Sequence, residues 1–171
     1  IASNIKPQKR RAYTLEQYNK LIDFCKKNNG LDVLLLAETA ITRSELLGLK
    51  WVDIDFANKI IYIRQGTVNM KSTKDGVWRT VSDGLKNDYR CRPIPIVDDD
   101  LFNMLKNKPQ TILVGGNVKK KVTGKEVKTE YVIYSPTGQI FAPDNWYRRV
   151  YRPFMATFNE ANKNIPILNP H

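Results

Sequence analysis

Helical spacing of apolar residues dominates the first fifty positions. Thr14 and Gln17 have the spacing of a capping box, and apolar side chains then recur at Tyr18, Leu21, Ile22 and Cys25. We expect that helix to end near Gly30 with a left-handed glycine cap. Leu31 to Ala40 is apolar on most sides and predicts a buried second helix. Thr42 and Glu45 form a second capping box, so a third helix is expected there.

From Trp51 the spacing changes to every second residue, which indicates β-strands. Val52, Ile54 and Phe56 alternate with acidic residues, and Ile60 to Arg64 follows after a turn near Asn58, which predicts an antiparallel hairpin. Cys91 to Ile96 is expected to add a third strand at the edge of the sheet, because its two prolines cannot donate hydrogen bonds. These patterns predict an α+β fold, mainly helical, with a small antiparallel three-stranded sheet.

The second half of the chain is patterned less clearly. Asp98 is expected to cap a helix that runs to about Lys106. Short strands are predicted at Ile112 to Val114 and Tyr131 to Tyr134, on either side of a basic segment that contains glycine. Asp144 is expected to cap a final helix, which Pro153 kinks or interrupts.

The net charge of the chain indicates which class of partner it binds. The 171 residues include 28 Lys and Arg against 17 Asp and Glu, a formal charge of +11, within a composition typical of a folded domain rather than a disordered tail. Such an excess favours a polyanionic partner. The alternative, a basic protein whose charge only confers solubility, fits less well, because Arg148, Arg149 and Arg152 lie among Trp146, Tyr147 and Tyr151.

Other classes are excluded by what the sequence contains. Two cysteines without a C-x-x-C pair and a single histidine predict neither a disulfide framework nor a metal site, so no cofactor is expected. The longest apolar runs are too short to cross a membrane. The first residues have no Met and no signal pattern, so we expect a cytoplasmic protein, bacterial or phage-encoded, of which this chain is an excised piece.

Three segments together resemble the tyrosine recombinases, the phage integrase family. Residues 39–55 are similar to the family's first box, T-G-L-R, two further residues, then E-L-L-x-L-x-W-x-D-I-D. Lys86 and residues 92–96 resemble its K-T-x-x-S-x-R-x-I-P-L segment, where the Lys lies on a β-hairpin that reaches the DNA. Residues 167–171 are similar to the approach to its H-x-x-R box and stop at the first His. The order and spacing of all three agree with the family.

The resemblance implies a fold and a reaction. The family's catalytic domain is a mainly helical bundle with a small antiparallel sheet. A Tyr attacks one DNA strand, forms a 3′-phosphotyrosyl link and releases a 5′-hydroxyl, which is the chemistry of site-specific recombination and integration without metal or ATP. Two Arg clamp the phosphate, a Lys protonates the leaving oxygen and a His assists.

Carried over to this chain, the resemblance implies an incomplete catalytic set. Lys86 matches the general acid and His171 the first His, whereas Thr42 stands where the family has its first Arg. Arg43 is the neighbour of that position, but one helical residue rotates a side chain by about 100°. A natural variant with a replaced clamp, a deliberate inactivation and a degenerate enzyme stay open as origins of Thr42. The second Arg and the nucleophilic Tyr are expected after His171, so the 171 residues alone are predicted to be inactive.

The resemblance also implies the partners. Double-stranded DNA is expected, with a homo-oligomer, a tetramer, for the full-length protein, and no membrane. Residues 1–11 match a basic interdomain leader and residues 12–171 the catalytic domain. The alternative function is a non-catalytic DNA-binding relative that holds or bends recombination sites. The residues predicted to contact DNA are Lys6, Lys9, Arg10, Arg11, Arg43, Arg92, Arg148 and Arg149.

Overall fold

The computed structural model describes residues 12–84, 90–115, 124–163, 165–168 and 170. Six α-helices are found in this part of the chain: α1 (Leu15–Lys27), α2 (Leu31–Thr39), α3 (Arg43–Gly48), α4 (Asp99–Asn107), α5 (Pro143–Trp146) and α6 (Arg152–Ala161). Its seven strands are β1 (Ile54–Asp55), β2 (Ile60–Ile63), β3 (Gln65–Lys71), β4 (Trp78–Gly84), β5 (Arg92–Pro95), β6 (Thr111–Val114) and β7 (Lys125–Lys128).

The first three helices form as the sequence predicts, apart from the end of α1. Thr14 caps α1 with a complete capping box, and the buried positions of the helix include Leu21 and Cys25. The left-handed residue after α1 is Asn29, with φ 55°, so the expected glycine cap at Gly30 is wrong. Gly30 is needed for space instead, because a Cβ there would lie 2.3 Å from Cζ of Phe154.

The predicted three-stranded sheet is present. Its order is β1-β2-β5, all antiparallel, with Ile61 opposite Ile54 on one side and Ile94 on the other. Pro93 and Pro95 lie on the edge strand β5, where a missing N–H does not interrupt the ladder. Ile61 and Ile63 are buried and join the sheet to the helical core.

A second hairpin, β3–β4, occupies the polar stretch for which the sequence patterns predicted no strand. Its strands pair from Gln65 opposite Gly84 to Lys71 opposite Trp78. The base of the hairpin packs closely on α3, because Gly66 lies against Gly48 and Ser44 Oγ donates a hydrogen bond to the Thr67 carbonyl at 2.7 Å. The hairpin is therefore attached to the helix that begins after Thr42.

The segment after α4 differs from the prediction. β6 agrees with the expected strand, but its partner is β7, within the segment predicted only as a basic excursion. Tyr131 to Tyr134 does not form a strand and makes only single bridges, from Tyr131 to Lys50 and from Tyr134 to Ile140. A short alternation of apolar and polar residues in a connecting segment is a weak signal for a strand. The backbone there can form single bridges without a continuous ladder of hydrogen bonds.

The C-terminal helix is continuous in direction but changes its hydrogen-bond spacing. Ala142 is the N-cap of α5 and Pro143 its first residue, so the expected cap at Asp144 is wrong, and Asp144 lies in the first turn. A π-helical turn, Tyr147–Tyr151, joins α5 to α6. It ends just before Pro153, whose missing N–H prevents the regular α-helical bond at this point, so the predicted interruption falls here.

The core is formed by α1, α2, α3, α4, the three-stranded sheet and the C-terminal helix. Its largest fully buried side chains include Trp146 and Phe158, with Leu34, Leu46 and Ile61. The Trp146 indole donates a hydrogen bond of 2.8 Å to the buried Asp32 carboxylate, which thereby links α2 to α5. In the described residues, no helix has both the length and the apolar character that a membrane crossing requires.

Because α3 and the β3–β4 hairpin pack closely, we expect alanine substitutions at two different glycines to have different effects on stability. Gly48→Ala should lower the free energy of unfolding by about 1–3 kcal/mol, because its Cβ would lie 2.9 Å from the Gly66 backbone, which cannot move aside as a side chain can. The control is Gly84→Ala, where nothing lies within 4 Å of the added Cβ. Urea denaturation of both variants measures the difference, and equal stabilities would contradict the packing.

Candidate functional site

The N-terminus of α3 is built by the capping box that the sequence predicted. The Thr42 hydroxyl accepts a hydrogen bond of 3.3 Å from the Glu45 amide, and a Glu45 carboxylate oxygen accepts one of 2.8 Å from the Thr42 amide. Thr42 itself is exposed to solvent. The residue at the family's first Arg position therefore acts here as a helix cap.

Glu45 also receives a second partner from the sheet. Arg92 on β5 donates two parallel hydrogen bonds to its carboxylate, of 2.9 and 3.1 Å, and a third of 3.0 Å to the Arg90 carbonyl. The Glu45 side chain is 4% exposed and that of Arg92 is 36% exposed. A buried carboxylate with a bidentate Arg is a strong, directional contact. It fixes α3 to β5, two segments that are 47 positions apart in the sequence.

The balance of burial and pairing sets the protonation of Glu45. Desolvation raises the pKa of the carboxyl, but the hydrogen bonds from Arg92 and from the Thr42 amide outweigh it, and the pKa lies below the usual value. The same contact raises the pKa of Arg92. Glu45 is therefore an anion, and it completes the capping box that the sequence predicted.

A second buried acid anchors the segment that follows α3. Asp53 accepts hydrogen bonds from the Lys50 amide at 3.3 Å, from the Gln65 side chain at 3.1 Å and from Arg64 at 3.3 Å. The Arg64 guanidinium also lies 4.9 Å from the centre of the Tyr62 ring. Asp53 thus connects the Trp51 turn to the β2–β3 corner, where a cation remains partly exposed.

A cavity of about 330 Å³ lies beside Thr42, and residues near position 170 also line it. The residues that line it include Ile41 and Thr42, and also Leu168 and Pro170. Tyr151 also lines this cavity and is buried. Residues from the first and third motifs of the sequence therefore meet at the N-terminus of α3, while Glu45 joins the second motif to the same helix through Arg92.

The predicted site residues fall into two groups. Lys6, Lys9, Arg10, Arg11, Lys86 and His171 lie outside the described residues. The other predicted residues, Thr42, Arg43, Arg92, Arg148 and Arg149, are described.

Arg43, Arg148 and Arg149 have no acidic partner within the described part of the chain, and the last two are exposed. They lie on two different elements, α3 and the π turn. Their contact with DNA stays a prediction, as does that of Arg92, whose guanidinium already binds Glu45.

The exposed tip of the β3–β4 hairpin was missed from the sequence. Trp78 is 67% exposed, and Met70 and Val77 are also exposed beside Lys71 and Lys74. Asp75 holds the turn, because it accepts bonds from the Val77 amide and from the Arg79 guanidinium, which lowers the pKa of its carboxyl. The Asp75–Gly76 pair between alternating residues is a hairpin signal that could have revealed these strands.

Metal ligands do not gather in the described residues. Within those ranges, no three His, Cys, Asp or Glu side chains are close enough together to hold an ion.

The Glu45–Arg92 contact predicts a pH-dependent contribution to stability. Because the pKa of Glu45 is lowered in the folded protein, the contribution is present above the pKa of an unfolded Glu, about 4.3, and is lost as the pH falls through the lower folded value. Glu45→Gln keeps a residue type that completes a capping box but removes the charge, so its unfolding free energy should fall less steeply with acid. Thermal unfolding from pH 7 to pH 3 compares the two proteins.

A double-mutant cycle separates this contact from simple loss of packing. Arg92→Met alone leaves Glu45 buried and unpaired and should cost about 1–2 kcal/mol, since Arg92 is partly exposed. In the Glu45→Gln background the same change should cost clearly less. Equal costs in both backgrounds would show that the pair is not coupled.

Comparison with known proteins agrees with this geometry. Residues 11–86 match the model described as the phage integrase family. The Tn1549 transposon integrase, solved in complex with circular intermediate DNA, is similar with a TM-score of 0.66 and 16% identity, covering 96% of this chain and 51% of that one. No curated protein sequence matches the chain.

Two further structures extend the comparison. The Tn1549 integrase in complex with transposon right end DNA has a TM-score of 0.64 at 16% identity, over 94% of this chain and 49% of that one. XerA recombinase has a TM-score of 0.52 at 15% identity, over 96% and 49%. The chain thus spans about half the length of the structures it matches, and at these identities the likeness concerns the fold. Residues 11–86 therefore match the phage integrase family, and the described residues share the fold of the recombinase structures to which the chain is similar.

Proposed function

We propose that the chain serves site-specific DNA recombination, by strand cleavage and rejoining through a 3′-phosphotyrosyl intermediate. The observation that carries the proposal is the convergence of three distant motifs on one helix terminus. Thr42 and Arg43 begin α3, Arg92 is bound to the same helix through Glu45, and Leu168 and Pro170 line the cavity beside Thr42. A basic domain with a purely structural role would not require these three motifs to lie together.

In this proposal each motif contributes one part of a phosphate site. Lys86 precedes β5, the strand that Arg92 fixes to α3, and would protonate the leaving 5′-oxygen. His171, to which the resemblance gives the role of the family's first His, would assist acid–base steps. Preorganised cations around the phosphate would lower the barrier by stabilising the charge that develops in the transition state. Full-length relatives would act as a homo-oligomer on duplex DNA.

The two tyrosines of the C-terminal helix support the view that the nucleophile is not in this part of the chain. Tyr151 is buried, and its hydroxyl donates a hydrogen bond to the Leu168 carbonyl. Burial raises the pKa of Tyr151 well above the ordinary value, which opposes formation of a phenolate. Tyr147 stacks on it with ring centres 5.7 Å apart. We therefore expect the 171 residues by themselves to form no covalent adduct with DNA.

One observation favours the second candidate, a non-catalytic relative that holds or bends recombination sites. The hydroxyl of Thr42 is engaged with the Glu45 amide, and a Thr side chain supplies no bidentate cation for a phosphate. Arg43 has no acidic partner among the described residues, so it is available to a phosphate from the neighbouring position. The two functions differ in whether Arg43 compensates for Thr42.

The proposed DNA-binding surface includes Arg43, Arg148 and Arg149 and the tip of the β3–β4 hairpin. The hairpin places exposed Trp78 beside Lys71 and Lys74, a mixture of cations and an aromatic ring that suits a nucleic acid. Its base is fixed on α3 through the Gly48–Gly66 contact. DNA bound at the N-terminus of α3 would therefore also contact a hairpin that is firmly packed on the same helix.

Binding of this chain to a duplex should weaken steeply with salt. Each phosphate that is neutralised contributes about −0.9 to the slope of log K against log salt, so replacing Arg148 and Arg149 together by Ala should make the slope less negative by about 1–2. Lys59→Ala is the matched control, because Lys59 is already paired with Asp99 at 2.7 Å. Fluorescence anisotropy of a labelled duplex measures both. A flat salt response would exclude DNA as the partner.

The two candidate functions are separated by Thr42→Arg in the full-length gene product on a nicked duplex. If the protein is an enzyme, the wild type forms a covalent adduct, and the variant forms it at least about tenfold faster because a bidentate cation is restored. The loss of the Thr cap costs about 1 kcal/mol and should not unfold the protein. An adduct formed only by the variant would establish the non-catalytic relative instead.

A further inference from the structure

The side chain of Lys108 borders two cavities at the end of α4. Lys108 is the C-cap of that helix, and its amide donates a hydrogen bond of 3.3 Å to the Leu105 carbonyl. It lines a cleft of about 620 Å³ and also a smaller cavity of about 200 Å³. Lys108 is half-buried, whereas Asn103 and Asn107 of the larger cleft are exposed. A reagent in solution therefore has access to the cleft that this lysine borders.

An aromatic ring, rather than a carboxylate, is the close partner of the Lys108 ammonium. Its Nζ lies 4.7 Å from the centre of the Tyr134 ring, and among the described residues no carboxylate forms an ion pair with it. The Tyr134 hydroxyl donates a hydrogen bond of 3.2 Å to the Pro109 carbonyl, which keeps the ring beside Lys108. Asp32 lines the smaller cavity as well, but its carboxylate already accepts a hydrogen bond from the Trp146 indole.

Burial without a bound counter-charge favours the neutral amine. Desolvation lowers the pKa of Lys108, and the charge of Asp32 offsets only part of this effect. Lys26, which lines the same cleft, shows the opposite case. Its ammonium binds Asp98 and Asp100 at 2.6 and 3.0 Å, and these contacts raise its pKa. Of these two lysines, Lys108 therefore has the larger fraction of free amine, which is the nucleophilic form.

The remaining lining of the cleft suits a phosphate group. Lys27 is exposed and forms no ion pair within the described part of the chain, so its ammonium is available to a phosphate. Asp100 is the acid of the cleft, and it is bound to Lys26. Side-chain amides, which donate hydrogen bonds to phosphate oxygens, are present at Asn29, Asn103 and Asn107.

We propose that Lys108 is a site of acylation by acyl phosphates, with the phosphate held in the cleft and the acyl group transferred to Nζ. The neutral amine attacks the acyl carbon, so that a C–N bond forms. The C–O bond to the phosphate breaks, the phosphate leaves with the electron pair, and the amine releases a proton to water. The smaller cavity, which Ile133, Phe141 and Val150 also line, offers apolar surface to the transferred acyl group. This step involves no DNA, so the inference goes beyond the proposed function.

The test uses acetyl phosphate as the probe, with the whole chain in solution and no DNA present. The reaction is run at about pH 8, below the ordinary pKa of lysine, and tandem mass spectrometry follows acetylation of each lysine with time. Lys106 is the first control, because it is exposed on the same helix. Lys26 is the second, because it lines the same cleft but is paired with two acids. Inorganic phosphate serves as the competitor.

We expect Lys108 to be acetylated at least about threefold faster than Lys106, because each unit by which a lysine pKa falls raises the free-amine fraction about tenfold. Lys26 should react more slowly than both. Inorganic phosphate and Lys27→Gln should each slow the reaction at Lys108 and leave Lys106 unchanged, since only the former borders the cleft. In urea the cleft is lost, and the rates at Lys108 and Lys106 should become equal.

Several results would overturn the inference. Lys108 would then react no faster than Lys106 or Lys26 in the folded chain, or its faster reaction would persist in urea. Faster acetylation that inorganic phosphate does not slow would show that the cleft does not hold the reagent. Circular dichroism checks the fold of Lys27→Gln, and if that variant unfolds, phosphate competition on the unaltered chain decides the outcome. The result stands apart from the proposed function, because DNA is absent throughout.

Discussion

The buried carboxylate of Glu45 is the contact on which the arrangement of the candidate site depends. A charge in this position is costly unless every lone pair is used, and here the Thr42 amide and the Arg92 guanidinium use them. The first partner ends a helix and the second is part of an edge strand, so one side chain decides both where α3 begins and where β5 lies. The β3–β4 hairpin then packs on α3 through glycines. Removal of the charge would loosen three elements together.

Much of this fold could be predicted from patterns within short stretches of the sequence. The capping boxes at Thr14 and Thr42 specify their helices through contacts within four residues, and these are visible in the sequence. The β3–β4 hairpin was missed because its strands are polar and half exposed, and only the Asp75–Gly76 turn marks them. Gly30 was misassigned because its role is to make room for Phe154, a contact across more than a hundred positions that no spacing rule contains.

The contacts that connect the residues of the candidate site could not be predicted from the sequence. Resemblance to a family pointed to Thr42 and Arg92, whereas the bidentate bond between Arg92 and Glu45 depends on the pairing of β2 with β5. The hydrogen bonds of Tyr13 and Tyr151 with the Leu168 backbone also lay beyond any motif. The unusual feature of the chain is therefore local: Thr42 caps α3 at the position where the resemblance leads us to expect an Arg, within a framework that is similar to the recombinase fold.

The most direct test of the predicted DNA contact at Arg92 uses the thiol of the residue before it. Cys91 is exposed, whereas Cys25 is buried, with a thiol pKa raised to about 12 by desolvation, so the sequence offers one reactive thiol. Duplexes that carry a mixed-disulfide tether on successive phosphates would be offered to the chain at low salt, so that the Cys91 thiol can displace the small leaving thiol of the tether. The account predicts a disulfide crosslink at Cys91 that high salt and Cys91→Ser both abolish. A duplex that binds with full affinity yet never crosslinks, at any tether position, would contradict it.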